Sequence, residues 1–205
     1  MQPSIENLEL SIELSQTGQG RLMETPRLLL HCCCAPCASY VIEHLLPHFT
    51  ISLYFYNPNI QPLDEYGKRA AELRKLLEAA KYGDNVELII CDYCDSFDEI
   101  AAMYPDEPEG GRRCRVCFEL RLAETARYAK AGGFDFFTTT LSVSPHKDAA
   151  LINDLGGKLA EAHGIKFLHS NFKKQDGYKR SVELSKQYGL YRQTYCGCQD
   201  VSFSK

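Results

Sequence analysis

Apolar residues in this chain arrive in short blocks separated by longer stretches of helical spacing. Leu28 to Cys32, Ile51 to Tyr56, Val86 to Cys91, Phe134 to Leu141 and Lys166 to His169 are each too short for a stable helix and read as strands. Between them lie segments with an apolar stripe at intervals of three and four. These are Ala38 to Leu46 (Tyr40, Val41, His44, Leu45), Pro62 to Ala80 (Tyr66, Ala70, Leu73, Leu77) and Val116 to Ala131 (Phe118, Leu122, Ala126, Ala129). Asp95 to Met103 adds a short helix. Ser144-Pro145-His146-Lys147-Asp148 opens another that runs to about Ala162, and Gly177 to Tyr188 is the last. Asn57-Pro58-Asn59, Pro105 to Gly111 and Gly132-Gly133 interrupt the pattern as loops and stops. Strands alternating with helices predict an α/β fold: a three-layer sandwich of about five mainly parallel strands with helices on both faces.

With 205 residues, 44% hydrophobic and 24% charged, the chain suits one domain with a sizeable core. Residues 1–26 read as an N-terminal extension, expected to be mobile, ahead of a single domain over 27–205. Glu6, Glu9, Glu13 and Glu24 break up any leader-like apolar stretch, and no run approaches the roughly 20 apolar residues of a membrane span. A cytoplasmic location with no membrane partner is therefore expected. In that reducing setting, ten cysteines are expected to be ligands or redox groups rather than a disulfide framework.

Net charge is −4, which disfavours a generally basic nucleic-acid binder. Its distribution changes that picture. Residues 84–109 carry nine acids and no Lys or Arg, whereas 166–192 carry seven Lys or Arg against Asp176 and Glu183. Lys173, Lys174, Lys179, Arg180, Lys186 and Arg192 are interleaved with Phe172, Tyr178, Tyr188 and Tyr191. Cations for phosphates and aromatic faces for unstacked bases suit a single-stranded RNA loop.

The chemistry concentrates in cysteines. His31-Cys32-Cys33-Cys34-Ala35-Pro36-Cys37 delivers four thiols at a strand end and helix start, the usual place for a ligand in such a sheet. Cys114/Cys117 and Cys196/Cys198 have the spacing of metal or redox pairs, and Arg113 and Arg115 beside the former favour thiolate. Four thiolates suit either an iron-sulfur cluster or structural zinc, and spacing leaves both open. Cys196-Gly197-Cys198 reads as a redox dithiol, a metal-ligating pair or surface thiols. Cys32 is expected to face the core, Cys37 to pack or support the site, and Cys91 and Cys94 to be incidental. Asp148 reads as a metal ligand, a proton donor or a helix-start carboxylate, and His146 and Lys147 as substrate contacts or proton donors. Glu65, Tyr66 and Arg69 read as a cleft face or a solvated one.

These motifs, with Tyr56-Asn57-Pro58-Asn59-Ile60, Cys114-Arg115-Val116-Cys117-Phe118, Lys173-Lys174, Gly177-Tyr178 and Tyr191-Arg192-Gln193-Thr194-Tyr195-Cys196-Gly197-Cys198, resemble the QueH family of epoxyqueuosine reductases. The resemblance spans Leu28 to Cys198. It implies a Rossmann-like sheet of the nucleotide-hydrolase type and reduction of epoxyqueuosine to queuosine at the wobble position of tRNA, the last step of queuosine synthesis. It also implies a [4Fe-4S] cluster on Cys33, Cys34, Cys114 and Cys117, with Cys196 and Cys198 as a redox-active pair. Lys147 and Asp148 join that pair as expected catalytic residues. A second, mononuclear iron drawing on Cys37, Cys196, Cys198 or Asp148 is conceivable within the family. No Gly-x-Gly-x-x-Gly follows any strand, so reductant is expected from an external low-potential electron donor.

Two other classes compete. An ATP-using tRNA-modifying enzyme would want a Gly-rich loop after the first strand, where this chain has cysteines instead. A zinc-stabilised RNA-binding module would use the same thiols with no reaction.

Overall fold

The computed structural model describes residues 25–82 and 85–198; almost all of the expected N-terminal extension lies outside them. The chain runs β1 (Arg27–His31), α1 (Ala35–Leu45), β2 (Thr50–Phe55), α2 (Leu63–Ala79), β3 (Val86–Ile90), α3 (Asp98–Met103) and α4 (Arg112–Ala131). It continues through β4 (Phe136–Thr139), a 3-10 turn (Thr140–Val143), α5 (Ala149–His163), β5 (Lys166–Phe167) and α6 (Gly177–Gln187). The five strands form one sheet in the order β3-β2-β1-β4-β5. Every pairing is parallel, with Leu30 level with Leu53 on one side and with Thr138 on the other.

Alternation along the strands sorts the core into two layers. Leu28 and Leu30 of β1, with Ile51, Leu53 and Phe55 of β2, pack against α1, α2 and α6. Leu29, Tyr54 and Phe137 point to the opposite face and meet α4 and α5. Both faces of β1 are thus covered, which is why its three consecutive leucines are all fully buried. No helix among the described residues is long and apolar enough to cross a membrane.

Several boundaries differ from the sequence expectation, each for a local reason. Helix α4 begins at Arg112 rather than Val116, capped by Gly111 in an extended conformation, so Cys114 and Cys117 both lie inside its first turns. The fourth strand stops at Thr139, whose hydroxyl accepts from Leu141 N and turns the chain into the 3-10 segment. Residues 144–147 precede α5 instead of opening it. Asp148 is its N-cap and accepts from the Ala150 and Leu151 amides at 2.8 and 3.2 Å.

Strand β5 is only two residues long, and α5 closes tightly over it. A Cβ on Gly156 would stand 2.4 Å from the Phe167 ring. Gly156→Ala is therefore expected to destabilise the fold by about 1–3 kcal/mol through overpacking, measured by urea unfolding. An unchanged midpoint would mean that the Phe167 ring yields without cost.

Candidate active site and thiol centre

Strand order changes direction between β1 and β4, so the connections leaving their carboxyl ends diverge to opposite faces and open a crevice. A buried bond ties the two rims together. His31 Nε2 lies 3.2 Å from the Tyr56 carbonyl, which can only accept, so this nitrogen carries the proton and Nδ1 accepts from the Thr139 hydroxyl at 2.8 Å. Burial, assisted by Arg121, pushes the His31 pKa down to about 3 and keeps the ring neutral.

The cysteine-rich turn leaves β1 at this rim. Cys32 is fully buried, and its amide still donates to the Tyr54 carbonyl at 3.0 Å. At Cys33 the chain bends, and Cys34 is the extended N-cap of α1 with Pro36 in the first helical turn. Residues adjacent in an extended strand would point apart. The bend instead brings the Cys33 and Cys34 sulfurs to 3.9 Å. The hydrogen bond that Cys33 donates to Cys34, together with burial, raises its own pKa. That bond favours the Cys34 thiolate, but a hydrogen bond with Cys37 and burial outweigh it and push Cys34 up to about 11.

The second thiol pair comes from α4. Cys114 Sγ accepts from the Gly110 amide at 3.2 Å, and burial pushes Cys117 up to about 11 against the pull of Arg121. Arg121, one turn further along, is the buried arginine among the thiols; Arg113 is half-buried and acts on Cys198, whereas Arg115 is exposed. The third pair is pinned by the loop after β2: Gln61 N donates to the Gly197 carbonyl at 2.9 Å. Glycine is needed here for close approach, since a Cβ on Gly197 would stand 2.8 Å from Ile60 Cγ1. The Cys196 and Cys198 sulfurs stand 3.5 Å apart, and Cys198 donates to Cys196. The hydrogen bond from Cys198 holds the Cys196 pKa well below the ordinary thiol range, and the same bond raises Cys198.

These segments surround two cavities. The larger, about 470 Å³, is lined by Cys33, Cys34, Cys37 and Cys196 together with Tyr178 and Arg192. The smaller, about 30 Å³, is lined by Cys114, Cys117, Cys198, Arg121 and Asp148. Glu109, His146, Lys147 and Cys196 line both. Burial works against the Lys147 charge, but Cys196 and Cys33 offset it and leave its pKa raised.

All eight residues named from the sequence as cluster ligands or catalytic groups therefore border this crevice. Asp148 spends one carboxylate oxygen on the α5 cap. Cys91 and Cys94 line neither cavity; Cys94 lies 3.3 Å from the Ser96 hydroxyl. Glu65 and Arg69 form a buried ion pair at 2.7 Å, and Glu65 accepts from the Tyr191 hydroxyl, so they anchor the C-terminal segment. The basic stretch is partly consumed by the fold. Phe172 is core, and Arg180 is clamped on Glu43 at 2.8 Å, while Tyr178 is exposed with the Arg192 guanidinium 5.1 Å from its ring. Sequence reasoning counts Arg121 with Arg112, Arg113 and Arg115 among the basic residues crowding Cys114/Cys117 but gives it no separate role, and gives none to Asn57. The spacing of Cys114, Cys117 and Arg121, three and then four residues, is the signal that distinguishes this arginine, since it puts both cysteines and the arginine on one face of α4.

Among the described residues, no three metal-binding side chains are gathered into a closed site. The four expected ligands form two thiol pairs on separate elements, and their chemistry fits a thiolate-bound metal group. All are free, an amide donates to one sulfur, and Arg121 and Lys147 supply positive charge nearby.

The 3.5 Å dithiol leads to a direct expectation. Mild diamide treatment should remove two alkylatable thiols from the parent protein, and Cys198→Ser should abolish that change in a mass-resolved thiol count. Loss of the same two thiols in the variant would assign the oxidation to another pair.

Comparison with known proteins gives the family of the chain. A family model described as epoxyqueuosine reductase QueH matches residues 28–204. Epoxyqueuosine reductase QueH of Streptococcus pyogenes serotype M1 is 44% identical over 176 residues, covering 84% of this chain and 69% of that protein. The protein of the same name from Staphylococcus epidermidis is 42% identical, covering 85% of this chain and 76% of its own length. That from Thermotoga maritima is 38% identical, covering 83% and 88%. With the match running from β1 through the Cys196/Cys198 pair, this chain belongs to the epoxyqueuosine reductase QueH family.

Proposed function

We infer that this chain reduces epoxyqueuosine to queuosine at the wobble position of tRNA, using a thiolate-bound [4Fe-4S] cluster and the Cys196/Cys198 dithiol. The observation that carries the reading is the meeting of three thiol pairs and Lys147 at one crevice. The larger cavity, at about 470 Å³, is within the usual range for a small-molecule site and suits one extruded nucleobase with its ring substituent. Tyr178 and Arg192 at its mouth offer a stacking face for such a base.

Cys33, Cys34, Cys114 and Cys117 would hold the cluster, which supplies single-electron transfer from an external low-potential donor when bound. Cys37, which lines the larger cavity beside Cys34, is the best-placed extra donor for a second, mononuclear iron. The reaction breaks both C–O bonds of the epoxide and needs two electrons and two protons, giving an alkene and water. Oxidation of the pair, with Cys196 as thiolate and Cys198 as thiol, to a disulfide supplies both electrons and one proton, Lys147 supplies the other proton, and the donor restores the reduced pair. Lys147, kept cationic by the facing thiols, donates a proton to the departing oxygen. His31 stays neutral and fixes the rim.

Anaerobically purified protein is expected to carry iron and sulfide and to convert epoxyqueuosine-containing tRNA under a low-potential reductant, read by nucleoside analysis. Colourless protein holding zinc alone would favour the RNA-binding alternative. Cys117→Ser should lose the iron chromophore along with turnover. Lys147→Met should lower kcat by about 10²–10⁴-fold with little change in KM; a loss under threefold would remove Lys147 from proton transfer.

A further inference from the structure

Arg121 presents an unresolved charge. Its side chain is 3% exposed, and a guanidinium does not give up its proton inside a protein. A buried cation is strongly unfavourable unless compensated. The comparison with Arg69 is instructive, because that equally buried arginine has the Glu65 carboxylate at 2.7 Å. Among the described residues no carboxylate pairs with Arg121. Its hydrogen bonds go to two neutral oxygens, the Cys117 carbonyl and Asn57 Oδ1, both at 3.3 Å.

Asn57 is itself buried, and its amide donates to the Cys32 carbonyl at 2.9 Å. A continuous bridge thus runs from the cysteine turn through Asn57 and Arg121 to α4. Two carboxylates, Glu109 and Asp148, line the small cavity as well, but neither forms an ion pair with Arg121, and Asp148 spends one oxygen on the α5 cap. The groups that act on the guanidinium most strongly are thiols. Cys117, Cys196 and Cys198 line the small cavity with it, and Cys33 is also within electrostatic reach. Burial works against the Arg121 charge, and negative charge arising on these thiols favours it.

We propose that Arg121 is the internal counter-charge of the thiol centre, a positioning residue that ties the cysteine turn to α4 through Asn57 and raises the potential at which the centre accepts electrons. The proposal rests on the redox reading of these thiols. A fixed positive charge stabilises whichever state of its neighbours is more negative, and uptake of an electron by a thiolate-held group makes that group more negative. Reduction of a Cys196–Cys198 disulfide to a thiol and a thiolate acts in the same sense.

The test compares parent, Arg121→Gln, Arg121→Lys and Asn57→Asp as full chains purified anaerobically. Iron, sulfide and thiol content are measured first, then the midpoint potential of the visible chromophore by dye-mediated titration. Arg121→Gln is expected to weaken reduction at least tenfold, a drop of about 59 mV for a one-electron step. Arg121→Lys, which keeps the charge, should stay within threefold of the parent. Asn57→Asp places a carboxylate against the guanidinium and should lower the potential in the same sense, which decides the matter if Arg121→Gln does not fold. An unchanged potential in a folded Arg121→Gln or Asn57→Asp protein overturns the proposal, as does an equal shift in Arg121→Lys and Arg121→Gln. If the parent carries no iron chromophore, the cluster reading fails. The same variants then test Arg121 through the Cys196/Cys198 thiol–disulfide equilibrium in glutathione buffers. A tenfold weaker reduction, about 30 mV for two electrons, supports the role and no shift rejects it.

Discussion

The reversal of strand order between β1 and β4 is the constraint on which the remaining structure depends. Because the chain leaves these neighbouring strands toward opposite faces, their carboxyl ends cannot be closed over by their own connections. The gap must be bridged by side chains, and His31 with Thr139 does this without introducing a charge. Everything reactive is then placed relative to that rim. The cysteine turn departs from β1, Lys147 stands in the loop after the 3-10 segment that follows β4, and α4 and the C-terminal segment approach from either side.

Sequence patterning is strong where burial has a simple period and weak where it does not. Three adjacent leucines in β1 can only mean a strand covered on both faces, and the stripe from Phe118 to Ala129 specifies the face of α4. The start of α4 was hidden because Arg112, Arg113 and Arg115 carry no apolar periodicity; the N-cap is supplied by backbone at Gly111. The loop at 144–147 resembled a helix start because Asp148, the real cap, sits only one residue after Lys147. Phe172 and Arg180 looked like nucleic-acid contacts in a basic run, but whether an aromatic packs or a cation pairs is settled by distant partners such as Glu43.

The candidate site follows the same division. The six thiols of the three pairs were legible because their spacing is local. The tie between Asn57 and Arg121 was not, because it is a contact spanning 64 residues. A buried asparagine or arginine has no pattern of its own in a sequence. Its meaning appears only when the accounting of hydrogen bonds and charge is done in three dimensions.

Lys147 and Cys196 belong to the walls of both cavities. The larger chamber is wide enough for a nucleobase substituent, whereas the smaller has room for about one water beside Arg121. A single partition therefore separates the place where a substrate would arrive from the place where charge is balanced. Cys196 is the one of the six paired thiols that belongs to both walls. A substitution at Cys196 is therefore bound to alter the lining of both cavities together, with no relay between distant sites.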